Sequence, residues 1–136
     1  MNETPMSALT QKGLDRLLNQ AKNDQRVLAV FLFGSVARGE EHEGSDTDVC
    51  LVLVPGTYTP LQLSKLKLEY LRDFNQDTQI FQQLPLYIRK RVLKDGKIFF
   101  TRDMDQLYDV AFAFIREYAD YEHIYREYLG ELSRAG

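Results

Sequence analysis

A single cysteine, Cys50, excludes an intrachain disulfide, so the fold has to be held by its core. The apolar run around it, Val49 and Leu51 to Val54, predicts a buried, unreactive thiol. No stretch approaches the roughly 20 apolar residues of a membrane span. Met1 to Thr10 has neither the basic residue nor the apolar core of a secretory signal. A cytoplasmic protein with no membrane segment is therefore the expectation. A basic excess is missing too. The formal net charge of −3 argues against broad, charge-driven binding to nucleic acid, although a local basic patch stays open. Repeats, low-complexity tracts and linkers are absent. What is there, 136 residues with 44% hydrophobic and 27% charged, suits one domain spanning 1–136. Such a domain buries roughly two thirds of its unfolded surface and needs no structural metal.

The hydrophobic period changes several times along the chain, and each change marks an element. Leu9, Leu14, Leu17, Leu18 and Ala21 fall at helical spacing within Met6 to Ala21, with Ser7 or Thr10 as cap. Val27 to Phe33 is a short apolar run stopped by Gly34 and reads as a buried strand. Asp48 to Val54 is a second strand, ended by the Pro55-Gly56 turn. Pro60 to Phe74 reads as a helix, Asp77 to Gln82 as a third strand, and Pro85 opens a helix that stops near Gly96. Lys97 to Thr101 is a brief fourth strand, followed by one long helix from Asp103 to about Ser133. The order describes an α/β (α+β) domain with helices covering a small sheet. Only fourteen residues separate the first two strands, which is short for a helical crossover, so a mixed sheet is expected.

Two short segments point to chemistry. In Gly34-Ser35-Val36-Ala37-Arg38-Gly39, a glycine directly after a buried strand lets the backbone turn and approach a ligand closely. If Ser35 begins a helix, free backbone N–H groups and its hydroxyl converge on one spot that attracts phosphate. The ordinary alternative is a strand-to-helix turn capped by Ser35. Asp46 and Asp48 shift the balance, because residues two apart at a strand start share a face and can ligate the same divalent ions. Glu40, Glu41 and Glu43 fit a solvated loop, whereas Asp48 leads straight into Val-Cys-Leu-Val-Leu-Val and has to be satisfied by something. Asp77, at the start of the third apolar run, is the best-placed further carboxylate, ahead of Asp73 and Asp95.

Gly34-Ser35, Ala37-Arg38-Gly39 and Ser45-Asp46-Thr47-Asp48-Val49 resemble the signature of the DNA polymerase β-like nucleotidyltransferases, specifically their minimal (MNT-type) members. Asp77 to Phe81, Leu84-Pro85, Arg91 to Lys97 and Phe99-Phe100 extend the resemblance over nearly the whole chain. Thr78 departs from the usually apolar residue after the third aspartate. The resemblance implies that Gly34 and Ser35 hold the β- and γ-phosphates of a nucleoside triphosphate. It implies that Asp46, Asp48 and Asp77 hold Mg²⁺, two ions in all, with Asp77 helping to deprotonate an attacking hydroxyl. Arg38 is a further phosphate contact or an exposed loop arginine.

Minimal members of this family are often antitoxins paired with a HEPN-type ribonuclease toxin, and can transfer AMP from ATP to a tyrosine of that partner. The resemblance therefore implies a protein adenylyltransferase. An antitoxin acting by occlusion and a small-molecule nucleotidyltransferase are the alternatives, and homo-oligomer formation stays open. The stripe Leu107, Ala111, Phe114, Tyr118, Tyr121, Tyr125 and Tyr128, in alternating steps of four and three, is compatible with a partner surface in its tyrosine-rich second half. The basic run Arg89-Lys90-Arg91, with Lys94 and Lys97, reads first as a solvated face, with triphosphate, a nucleic acid or the acidic Glu40–Glu43 loop as its alternative partners, and His42 and His123 read as ordinary surface residues.

Overall fold

The computed structural model describes residues 8–33, 48–71 and 78–135. In order these form α1 (Ala8–Lys22), β1 (Val27–Phe33), β2 (Asp48–Leu53), α2 (Pro60–Leu71) and β3 (Thr78–Ile80). A single 3₁₀ turn (Phe81–Gln83), α3 (Leu86–Asp95), β4 (Lys97–Thr101) and α4 (Met104–Ala135) follow. The chain divides into two units, Met1–Met104 and Asp105–Gly136, the second holding α4 from Asp105 onward.

In the first unit the four strands form one mixed sheet in the order β3-β2-β1-β4. β1 is antiparallel to both β2 and β4, while β3 runs parallel to β2. The central pair owes its place to composition: every residue from Val27 to Leu32 and from Val49 to Leu53 is buried. Strands so uniformly apolar are stable only with both faces covered. One face carries Val27, Val30, Leu32, Val49, Leu51, Leu53 and Ile80, packed with Leu14, Leu17 and Ala21 of α1 and Leu66 and Tyr70 of α2. Those helical residues recur at intervals of three and four, which makes each a single inward stripe. The apolar content of α2 is wider than its stripe: Leu61 and Leu68 are exposed. On the other face, α3 approaches β1 so closely that a Cβ at Gly96 would lie 3.2 Å from both the Leu32 carbonyl oxygen and the Phe31 ring, and 2.4 Å from the Val92 carbonyl oxygen. Only glycine fits there.

The third strand is shorter than the Asp77 to Gln82 expected from sequence; Asp77 lies outside the described residues. The chain leaves the ladder at Phe81 because a side chain replaces it. The Gln82 amide donates to the Leu53 carbonyl at 2.8 Å and accepts from the Leu53 N–H at 3.1 Å, closing the end of β2 as another strand residue would. Pro85 opens α3 as its cap residue, its carbonyl accepting from the Ile88 and Arg89 N–H groups. The β1–β4 pairing carries an irregularity between Val30 and Phe31, where Phe99 is the extra residue and stays partly exposed.

Two polar clusters fasten the helices to the sheet. Arg102 donates from Nε to the Val27 carbonyl (2.7 Å) and from a terminal nitrogen to the Ala21 (2.9 Å) and Asp24 (2.8 Å) carbonyls. It thus satisfies the last turn of α1, where a cation is also favoured by the helix dipole, and the bend into β1. Across the same bend Arg26 chelates Asp24 at 2.8 Å through two nitrogens and reaches Glu69 of α2 at 2.9 Å. The Tyr70 hydroxyl donates to Asp24 at 2.9 Å. Burial alone would raise the Asp24 carboxyl, but the hydrogen bonds from Arg26 and Tyr70 outweigh it and hold the group below its ordinary value. Burial, with the Asp24 bond, pushes the Tyr70 phenol up.

Three outcomes follow from this packing. Arg102→Leu should cost about 3 kcal/mol in urea unfolding, because it strips a charged donor from several carbonyls at once. Asp24 is depressed in the folded state, so its stabilisation is present above its ordinary value of 3.8 and fades as pH falls through the lower folded value. The stability gap between the unaltered chain and Asp24→Asn should accordingly be wide at neutral pH and narrow progressively as pH falls below 3.8. Thr78 is 2% exposed and its hydroxyl has no hydrogen-bond partner among the described residues. Thr78→Val should therefore leave stability unchanged or raise it by up to about 1 kcal/mol; a loss of that size would show an unseen partner.

Candidate functional site

Asp48 is the one expected site residue within the described part of the chain. Gly34, Ser35, Arg38, Asp46 and Asp77 lie outside it. Asp48 is the first residue of β2, half-buried, and its Cα partner is Phe33, the last residue of β1. Side chains alternate along a strand, and Val49 belongs to the face under α1 and α2. Asp48 therefore shares the opposite face with Cys50. Burial there pushes the Cys50 thiol well above its ordinary value, so it is no nucleophile.

The strand pairing brings three points of the chain to one end of the sheet. β1 ends at Phe33 opposite Asp48, where β2 begins, and β3 begins at Thr78 opposite Val49. Gly34 is thus the residue that follows one of these points, Asp46 lies two before the second, and Asp77 immediately precedes the third. Backbone register alone makes this convergence. Among the described residues no group of three or more His, Cys, Asp or Glu side chains is placed to hold a metal ion. None of the described helices is long and apolar enough to cross a membrane.

β4 also starts at this end, with Lys97 paired to Leu32 and exposed. The chain reaches it through Lys94, which is exposed in the last turn of α3. Arg89 does something else: it donates to the Leu84 carbonyl at 3.0 Å and lies 6.0 Å from the Phe81 ring centroid, capping the turn into α3. Gln82 and Arg102 hold the frame from which the site projects, and sequence reading passed over both. Their partners are backbone carbonyls and an N–H, which leave no mark in a residue pattern.

Comparison with known proteins agrees with this geometry. Residues 15–105 match the family model described as polymerase beta, nucleotidyltransferase. A curated protein of Methanocaldococcus jannaschii, named as a candidate protein adenylyltransferase, is 35% identical over 103 residues, covering 75% of this chain and 78% of its own. Among solved structures, a chain of a toxin-antitoxin complex with AMP-PNP superposes with a TM-score of 0.63 at 18% identity, covering 88% of this chain and 95% of that one. A chain from the complex of tri-AMPylated Shewanella oneidensis HEPN toxin with MNT antitoxin gives 0.56 at 15% identity, covering 96% and 98%. At such identities the structural matches speak to fold alone. The family match and the curated relative go further, and with the strand ends gathered around Asp48 they place this chain in the polymerase β nucleotidyltransferase family.

Proposed function

We propose that this nucleotidyltransferase moves AMP from ATP to a hydroxyl of a protein partner, most plainly a HEPN-type toxin whose antitoxin it would be. The curated relative named for protein adenylylation and the toxin-antitoxin complexes that share the fold support that choice of acceptor. The register of β2 with β3 carries the site. Were that register to run one residue further than Val49↔Thr78, Asp77 would fall opposite Asp48. Were the alternation of β2 to run on ahead of Asp48, Asp46 would share its face.

Three carboxylates converging there would repel one another without a cation, and an all-oxygen donor set suits Mg²⁺. Asp46 and Asp48 would hold the ion shared with the triphosphate, and Asp77 would complete a second position. Bound Mg²⁺ supplies charge neutralisation on the triphosphate and on the incoming oxygen. The protein's own part is positioning. Gly34 and Ser35, leaving the end of β1, would present backbone N–H groups and a hydroxyl to the β- and γ-phosphates, with Arg38 as a further contact. Asp77 would accept the proton of the attacking hydroxyl as its oxygen bonds to the α-phosphorus, and the bond to pyrophosphate breaks.

Incubation of the chain with α-labelled ATP, Mg²⁺ and the product of the neighbouring gene should label that product. Asp48→Asn or Asp46→Asn should reduce labelling by about a thousandfold or more while leaving the unfolding transition in place. Full labelling by both variants would overturn the metal assignment.

A further inference from the structure

The second unit, α4, has a feature that nucleotide chemistry does not use. From Met104 to Leu132 its apolar seam advances in strict alternating steps of three and four over 29 residues. A spacing that averages 3.5 rather than 3.6 is the pattern of a helix mated to another helix. The carboxyl-terminal half of this seam is open: Tyr121 is 44% exposed, Tyr125 50%, Tyr128 59% and Leu132 51%. It is also preorganised. Phe114 and Tyr118 have ring centroids 5.8 Å apart, Tyr118 and Tyr121 6.3 Å, and Tyr121 and Tyr125 are stacked at 6.0 Å. Rings already fixed against each other lose little freedom when covered.

Charge selects the occupant. The positions beside the seam hold apolar residues, such as Ile124 and Leu129, and the acidic Glu117, Glu122 and Glu131; no basic residue stands there. Arg126 sits four residues after Glu122 at 3.8 Å, an exposed pair too weak to reverse that sign. α4 as a whole has seven acidic and three basic residues, so the acidic excess of the chain resides in it. Two copies laid seam to seam would set glutamates against glutamates. A helix of another protein, with lysine or arginine beside its apolar stripe, meets no such repulsion.

We propose that the Tyr118 to Leu132 half of α4 is a docking surface for an amphipathic, basic-flanked helix of a different protein, about four turns long to match a seam of roughly 21 Å. It extends the proposed function by saying how a protein acceptor would be held, and the contact itself needs none of the carboxylates. The probe is a labelled synthetic helix of about 18 residues with leucine along the seam and lysine at its flanks, beside a twin with glutamate at the flanks. In fluorescence anisotropy the full chain should bind the lysine-flanked helix at least about tenfold more tightly than its twin. Combined Glu117→Lys, Glu122→Lys and Glu131→Lys should invert that preference. Tyr121→Ser with Tyr125→Ser should abolish binding of both peptides, whereas Tyr121→Phe with Tyr125→Phe should keep it, each with unchanged helical circular dichroism. Asp48→Asn should bind the lysine-flanked helix like the unaltered chain, so loss of nucleotidyl transfer and loss of docking are read separately. Equal affinity for the two peptides, a charge-reversed chain with unaltered preference, or a dimer in sedimentation that dissociates on Tyr121→Ser would overturn the proposal.

Discussion

The antiparallel pairing of β1 with β2 is the constraint on which the rest of the first unit depends. It sets Phe33 against Asp48, so the fourteen residues between them leave and re-enter the sheet at adjacent points. Had these strands been parallel, the Asp48 end of β2 would lie beside the start of β1, a strand length from Phe33. The end of β1 and the start of β2 could not then meet at one end of the sheet. The parallel pairing of β3 with β2 acts in the same direction, because it makes β3 begin, rather than end, beside Asp48. Two pairings of opposite sense are both required.

That frame is fixed from behind. The bend that feeds β1 is held by Arg102 through the carbonyls of Ala21, Asp24 and Val27, and by the Asp24, Arg26, Glu69 and Tyr70 cluster that links it to α2. These bonds lie at the end of the sheet away from Asp48, where β1 starts rather than stops. Charged groups that stabilise the fold are thus kept apart from Asp48. A cation as strong as Arg102 beside Asp48 would engage its carboxylate in an ion pair.

Much of this was legible in the sequence. The bounds of β1 and β4 and the mixed character of the sheet came from runs of buried residues and from a connection too short for a crossover helix. Features set by tertiary contacts were not legible. β3 stops at Ile80 because the Gln82 side chain takes over its pairing, and a glutamine gives no sign of this in a pattern. Leu61 and Leu68 match their buried neighbours in composition and face outward, because only the stripe through Leu66 and Tyr70 meets the sheet. Arg102 finds its carbonyls 75 to 81 residues earlier in the chain, beyond any local rule. At the site, the motif named Gly34, Ser35, Arg38, Asp46, Asp48 and Asp77, and the described residues supply Asp48 and the strand register around it.

The two units are stabilised differently, and the difference bears on function. The first gains its order from pairing between distant segments, so a substitution at one strand end is felt at the others. α4 is built from local hydrogen bonds over 32 residues, reinforced by spaced pairs such as His123 with Glu127. Side chains on an exposed helical face can change without moving their neighbours, provided helix propensity is kept. A recognition surface on such a helix is free to follow the chemistry of a partner. Asp48 is not free in this way, because its position is set by the same register that keeps Val49, Leu51 and Ile80 in the core.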